Sequence, residues 1–292
     1  MESMRLNQES NREITAKVRA IKLMEEQNNQ NDIWMDSIVT STKPSADSLP
    51  GFYEPAASIQ LGPLTHSTRI PGIDEDQAVI IRNALTHNEC AQLIEFMNQS
   101  DNFEDVGVQG MMDQKDERIG SKRTSIWAPE VAHQIWQRVM PFLKPKMCTK
   151  FTPTDWWQDN DVDYNMFYKP IGMSPLLRFM QYENGGQHYA HYDASYIYPI
   201  SQYRTLKSVV IYLTTNYGAA TRFVKDGQNS IPINERNHMD WDRPVKDEEI
   251  IGKSECIRGN ILIFDHRLCH DVEQYLGTEK RIIIRGDIIY VA

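Results

Sequence analysis

A chain of 292 residues, 40% hydrophobic and 24% charged, has room for a full core, as one large domain or one domain with an extension. No apolar run reaches about 18 residues, which argues against a transmembrane helix and a membrane partner. A net charge of −9 counts against a grip on nucleic-acid backbone, which calls for a basic surface.

The first 30 residues mix acids and bases around no apolar signal core, so a cytoplasmic location is expected. Ile14, Val18, Ile21 and Met24 fall on one stripe, predicting a helix over 12–26 that packs on the main body or on a second subunit, as in a dimer. Residues 27–64 are rich in Asn, Ser, Pro and Asp and read as an extended arm. The segment 1–64 is therefore assigned to an N-terminal helix and linker, and the folded domain to 65–292. Four scattered cysteines, Cys90, Cys148, Cys256 and Cys269, form no CxxC pair and suit free thiols in a reducing compartment.

Residues 78–82 read as a short strand. Thr86 and Glu89 form a capping box, which starts a helix at about His87 with Leu93, Ile94 and Met97 on its apolar face. Pro129 marks a second helix start, with Val131, Ile135 and Val139 along the buried stripe. The polar stretch 100–125 between them reads as a mobile loop. Its Arg118–Arg123 cluster is either a solvated surface or part of a substrate entrance. Trp127, Trp136, Trp156 and Trp157 read as packing residues.

From about Ser174 the texture changes to strands, at 176–183, 208–215, 260–266 and 281–291. With no amphipathic helices between them, an antiparallel sandwich or barrel is expected. The polar stretch 225–254, with Pro232 and Pro244, reads as a long insertion.

Within Gln181-Tyr-Glu-Asn-Gly-Gly-Gln-His-Tyr-Ala-His-Tyr-Asp193, His191 and Asp193 are two apart. Residues so spaced on a strand share a face and can converge on one ion. A third ligand would complete the two-histidine, one-carboxylate set that leaves iron(II) positions open. Downstream, Gly259-Asn-Ile-Leu-Ile-Phe-Asp-His-Arg-Leu-Cys-His270 carries a strand into a histidine turn. Arg281-Ile-Ile-Ile-Arg285 opens the last strand eleven residues later.

Together these segments resemble the iron(II)- and 2-oxoglutarate-dependent oxygenases of the prolyl-4-hydroxylase-like group. Arg178-Phe-Met-Gln-Tyr182 before Gly185, Val209-Val-Ile-Tyr-Leu213, Gly218-Ala-Ala-Thr-Arg-Phe223 and Leu85–Ile94 extend the likeness. Ala219 and Ala220 depart from the family's Gly-Gly-Glu. The resemblance implies an α+β chain whose core, about 174–292, is a double-stranded β-helix (jelly-roll or cupin-like) flanked by N-terminal helices. It implies iron held by His191, Asp193 and His270. It implies that Arg281 and Tyr212 meet the far carboxylate of 2-oxoglutarate, the arginine through its two-pronged fork. Tyr182 either bounds that pocket or is a core aromatic.

The implied reaction consumes 2-oxoglutarate and O2, admits ascorbate as an accessory reductant, releases succinate and CO2, and hydroxylates an unactivated C–H bond. The presence of Asp193, which halogenating relatives lack, favours hydroxylation. The expected substrate is a peptidyl residue of prolyl type, the alternative a free amino acid or other small metabolite. A catalytically silent β-helix binding module is the rival from another class.

Several neighbours compete for these roles. His188, three before His191, is expected on the opposite strand face, as a surface or hydrogen-bonded histidine. His266 lies fifteen before Arg281 and is read as orienting a ligand. Strand alternation puts Arg281 and Arg285 on one face and Lys280 on the other, with Arg285 a structural or pocket-lining charge. Arg178, on the same face as Tyr182, binds substrate or forms a buried ion pair.

Overall fold

The fold was analysed in a computed structural model that describes residues 67–98, 104–105, 118–143, 168–193, 195, 203–228, 231 and 243–291. The expected helix over 12–26, the arm over 27–64, Cys148, Trp156 and Trp157 lie outside the described residues. No helix among the described residues is long and apolar enough to cross a membrane.

Among the described residues, twelve strands and two α-helices follow in chain order: β1 (Ser67–Thr68), β2 (Ala78–Ile81), α1 (His87–Asn98), β3 (Glu104–Asp105), β4 (Arg118–Trp127), α2 (Pro129–Val139), β5 (Lys169–Met173), β6 (Leu176–His191), β7 (Arg204–Tyr212), β8 (Asn216–Val224), β9 (Ile250–Cys256), β10 (Ile261–Asp265), β11 (His270–Val272) and β12 (Arg281–Val291). The strands form one antiparallel sheet in the order β1-β2-β10-β7-β12-β6-β11-β8-β9, with β4 also on β6 and β5 on β12. The long strand β6 joins the two halves of the sheet. Its first part pairs with β12 and its last residues pair with β11. This wrapped, nearly closed sheet is a double-stranded β-helix.

The strands of the larger half are buried on both faces, so they read as near-continuous apolar runs rather than alternations. Leu177, Phe179, Val209, Ile211, Ile261, Ile263, Ile282 and Ile284 pack under the helices, against Leu93 and Met97 of α1 and Val131, Ile135 and Val139 of α2. Their sequence neighbours Met180, Tyr182, Val210, Tyr212, Leu262, Phe264 and Ile283 point the other way and fill the barrel interior with Phe223 and Val272. The period of two thus aims alternate residues at a helical layer and at an inner chamber.

The capping box at α1 is present in both directions: Thr86 N–H donates to Glu89 Oε2 (2.7 Å) and Glu89 N–H to Thr86 Oγ1 (3.2 Å). Glu89 also receives Arg138 of α2 in a buried fork, with Nη2–Oε1 2.5 Å and Nη1–Oε2 2.9 Å. One carboxylate therefore starts α1 and ties it to α2.

Two segments differ from the sequence expectation. Residues 118–125, read as part of a mobile loop, belong to strand β4, paired along β6 from His188 to Leu176. The stretch Arg-Ile-Gly-Ser-Lys-Arg-Thr-Ser-Ile-Trp shows little apolar pattern because backbone pairing holds it while Lys122 and Ser125 face solvent. Residues 250–254, read within the polar insertion, belong to strand β9, paired with β8. Trp136 is core as expected, whereas Trp127 is 41% exposed. Cys90, Cys256 and Cys269 are buried and form no disulfide among the described residues.

Candidate metal centre

His191 ends β6, Asp193 follows it by two, and His270 opens β11 directly opposite His191 in the ladder. One ligand atom from each of these three lies within 4.8 Å of the others. The His191 Nε2–Asp193 Oδ1 distance is 3.9 Å and the His270 Nε2–Asp193 Oδ2 distance 3.7 Å. His191 Nδ1 lies 2.7 Å from the Tyr189 carbonyl and His270 Nδ1 2.9 Å from the Leu268 carbonyl. A carbonyl oxygen can only accept, so both Nδ1 atoms carry a proton, and in the neutral tautomer this selects, the Nε2 lone pairs face the carboxylate. That tautomer presents two neutral nitrogens and one oxygen to an ion.

The electrostatics favour the same state. Burial alone would raise the Asp193 pKa, but the Arg285 guanidinium beside it holds it well below the ordinary carboxylate value. Burial lowers His270, with Asp193 pulling the other way. The carboxylate is thus ionised and the imidazole neutral near pH 7, as metal ligands require.

Arg285 sits against this carboxylate, with Nη2 3.0 Å from Asp193 Oδ1, and Ser208 Oγ donates to Asp193 Oδ2. Arg285 was expected only as a structural or pocket-lining charge; its contact with Asp193 was not foreseen. Ser208 was missed too, although a serine at an inward position of the run Lys207–Leu213 is a detectable signal. His266 donates to Asp287 (3.2 Å), and Asp287 receives Arg285 (3.1 Å) and Arg178 (2.9 Å). His266 therefore stands two charges away from Asp193 instead of orienting a ligand directly. Arg178 forms the ion pair that was one of its two readings.

His188 departs from expectation. Its ring stacks on His191 with centroids 3.6 Å apart, and it is buried. Across from β11, His188 and His191 oppose Val272 and His270, so three steps along β6 match two along β11. The extra residue is a β-bulge that turns both histidines to the same side.

Deeper in the chamber lies Arg281, opposite Tyr182 in the ladder and 0% exposed. None of its three guanidinium nitrogens has a hydrogen-bond partner. The Tyr182 ring lies 4.8 Å from its guanidinium carbon. Tyr212 Oη is 3.1 Å from Thr221 Oγ1 and 3.2 Å from Ser254 Oγ. Burial pushes the Tyr212 pKa up to about 12 against the pull of Arg281, so the phenol keeps its proton. Thr221 and Ser254 were not singled out from sequence; Ser254 stood in what read as insertion. Lys280 faces outward, toward Gln181 and Glu183.

No protein-family model matches the chain, and no curated protein matches it in sequence. Among solved structures it is similar to the viral collagen prolyl hydroxylase of Paramecium bursaria Chlorella virus-1 in its 2-oxoglutarate complex, at 15% identity and TM-score 0.40, covering 74% of this chain and 97% of that one. It is also similar to a Pseudomonas putida prolyl-4-hydroxylase, at 13% identity and TM-score 0.42, covering 73% and 91%. A third similar structure is HygX from Streptomyces hygroscopicus with nickel and 2-oxoglutarate bound, at 11% identity and TM-score 0.44, covering 73% and 82%.

Proposed function

We propose that this chain is an iron(II)- and 2-oxoglutarate-dependent oxygenase that hydroxylates an unactivated C–H bond. The observation that carries the reading is Arg281. A guanidinium with no exposure and no hydrogen bond is costly unless an anion meets it. Tyr212 and the hydroxyls of Thr221 and Ser254 stand with it in the chamber, and a carboxylate matches those donors. The chamber that holds this anion pocket also holds His191, Asp193 and His270. A dianionic 2-oxo acid suits both at once, with its far carboxylate on Arg281 and its near end on the metal.

Bound iron supplies the activation of O2 against the 2-oxo acid, with succinate and CO2 as products. The chain's own residues then have separate tasks. His191 and His270 present Nε2, fixed by their carbonyl-bound Nδ1. Asp193 supplies the anionic ligand, oriented by Ser208 and Arg285. Arg281 and Tyr212 anchor the cosubstrate, and Tyr182 walls its pocket. Three protein ligands leave room at the metal, unlike the four of a structural zinc site.

The sequence resemblance supports a peptidyl residue of prolyl type as substrate, with a free amino acid or other small metabolite as the alternative. The folded domain over 65–292, the linker role of 1–64 and a dimer formed through the 12–26 helix belong to the same proposal.

The test is the visible spectrum of the protein with iron(II) and 2-oxoglutarate, without oxygen. A weak metal-to-ligand charge-transfer band is expected, lost in His270→Ala and requiring far more 2-oxoglutarate in Arg281→Gln. Iron binding without a band would overturn the reading in favour of a binding module.

A further inference from the structure

We propose that the substrate carries a carboxylate that docks on Arg178 beside the metal triad, an inference that rests on the oxygenase reading above. Arg178 and Arg285 stand directly opposite each other on β6 and β12. Like charges so placed repel, and an anion must lie between them. Asp287 does, with Oδ2 2.9 Å from Arg178 Nη1 and Oδ1 3.1 Å from Arg285 Nη2.

The charges on this wall do not balance once the site is loaded. A divalent metal is offset by Asp193 and by the near carboxylate of the 2-oxo acid, and the far carboxylate is offset by Arg281. That leaves Arg178 and Arg285 facing the single charge of Asp287, an excess of one positive charge without counting His266. The excess is accessible at Arg178. Its side chain is 25% exposed, against 6% for Asp287, and its other N–H groups have no partner among the described residues. Half-buried Arg123 continues the same face, opposite Met180 on β4.

A purely structural Arg178 would serve only to neutralise Asp287. Yet Asp287 already receives Arg285 and His266. A half-open guanidinium with donors to spare suits a carboxylate fork. A neutral substrate would leave that charge uncompensated as it closed the chamber to water.

The experiment uses the full chain with iron(II) and 2-oxoglutarate under anaerobic conditions, and follows the charge-transfer band during titration with propionate. A saturable perturbation at millimolar propionate is expected, with none from propionamide. Arg178→Met should raise the half-saturating concentration at least about tenfold, and Arg178→Lys should recover part of the loss. Two competitors separate the sources of the carboxylate: N-acetylproline offers a free terminus, and acetyl-Pro-Asp-amide a side chain. Either one displacing propionate upholds the proposal and identifies the source; displacement by neutral acetylproline amide overturns it. A band indifferent to propionate, or equal titrations in wild type and Arg178→Met, overturns this proposal alone. A missing band sinks the oxygenase reading and this proposal with it.

Discussion

His188 and His191 stack ring on ring, with centroids 3.6 Å apart, although they stand three positions apart on one strand. An undisturbed strand would send them to opposite faces; the bulge against β11 brings them together. His188 thereby packs on the ligand imidazole without joining the set of three. Removing it should therefore loosen the ligand while leaving the metal bound. An aromatic stack is worth about 0.5–1.5 kcal/mol, so His188→Ala should weaken iron(II) or manganese(II) binding only several-fold. His191→Ala should abolish binding at the same concentrations. Calorimetric titration of both variants decides; equal losses would make His188 a ligand.

Arg281 is buried with no hydrogen-bond partner on its guanidinium, so on the proposed reading it should destabilise the empty pocket and hold the filled one. Arg281→Met keeps much of the volume and removes the buried charge. The variant should melt higher than wild type without ligand, by roughly 1 kcal/mol of stability. It should also lose the rise in Tm that 2-oxoglutarate gives wild type. A variant that still gains Tm with 2-oxoglutarate would move the anchor elsewhere.

Ser208 fixes one oxygen of Asp193 from the floor of the chamber. Loss of such a partner to a metal ligand costs roughly 10–100-fold in affinity. Ser208→Ala should therefore weaken metal binding by about tenfold, and Ser208→Thr, which keeps the hydroxyl, should recover most of it. Direct measurement of metal affinity in both variants tests this.

The Glu89–Arg138 fork ties α1 to α2 and includes none of the three candidate metal ligands. Glu89→Ala takes the carboxylate away from a buried guanidinium and should cost about 3–5 kcal/mol. The paired change Glu89→Leu with Arg138→Met should recover a large part of that. Urea unfolding midpoints measure both, and metal affinity should stay unchanged in whichever variant remains folded.

Acid should destabilise the metal-free protein in two stages. His270 is held below the ordinary histidine value by burial, so its contribution to folding is complete above about pH 6.5. That contribution is lost as pH falls through the folded-state value. Asp193, held down by Arg285 and the histidines against the effect of burial, adds a second loss only below about pH 4. His270→Gln should flatten the first stage. Parallel Tm curves for variant and wild type between pH 7 and 5 would exclude His270 as its source.

The legible parts of the fold were those where burial acts on both faces. Val209–Leu213, Ile261–Phe264 and Ile282–Ile284 are apolar without interruption because helices cover one side and the chamber fills the other. Strands with one wet face were hidden. In β4 the backbone pairs with β6 while Lys122 and Ser125 stay exposed, and in β9 Ile251 is 39% exposed. Nearest-neighbour spacing captured His191 with Asp193 and aligned Arg281 with Arg285. It could not give the His188 stack, which depends on one unmatched residue, nor the Arg285–Asp193 contact between side chains 92 positions apart.

The segment 225–249 leaves and re-enters the barrel at one point. Val224 pairs with Ile250, and Lys225 N–H donates to the Glu249 carbonyl at 2.8 Å. The strands so clasped carry Thr221 and Ser254, the hydroxyls beside Tyr212. Such a clasp makes the segment an exchangeable cassette. Its length and sequence can be rewritten while the ends keep Thr221 and Ser254 in register beside Tyr212. A foreign segment spliced in at Val224 and Ile250 would thus enter through a junction that the strand pairing already closes.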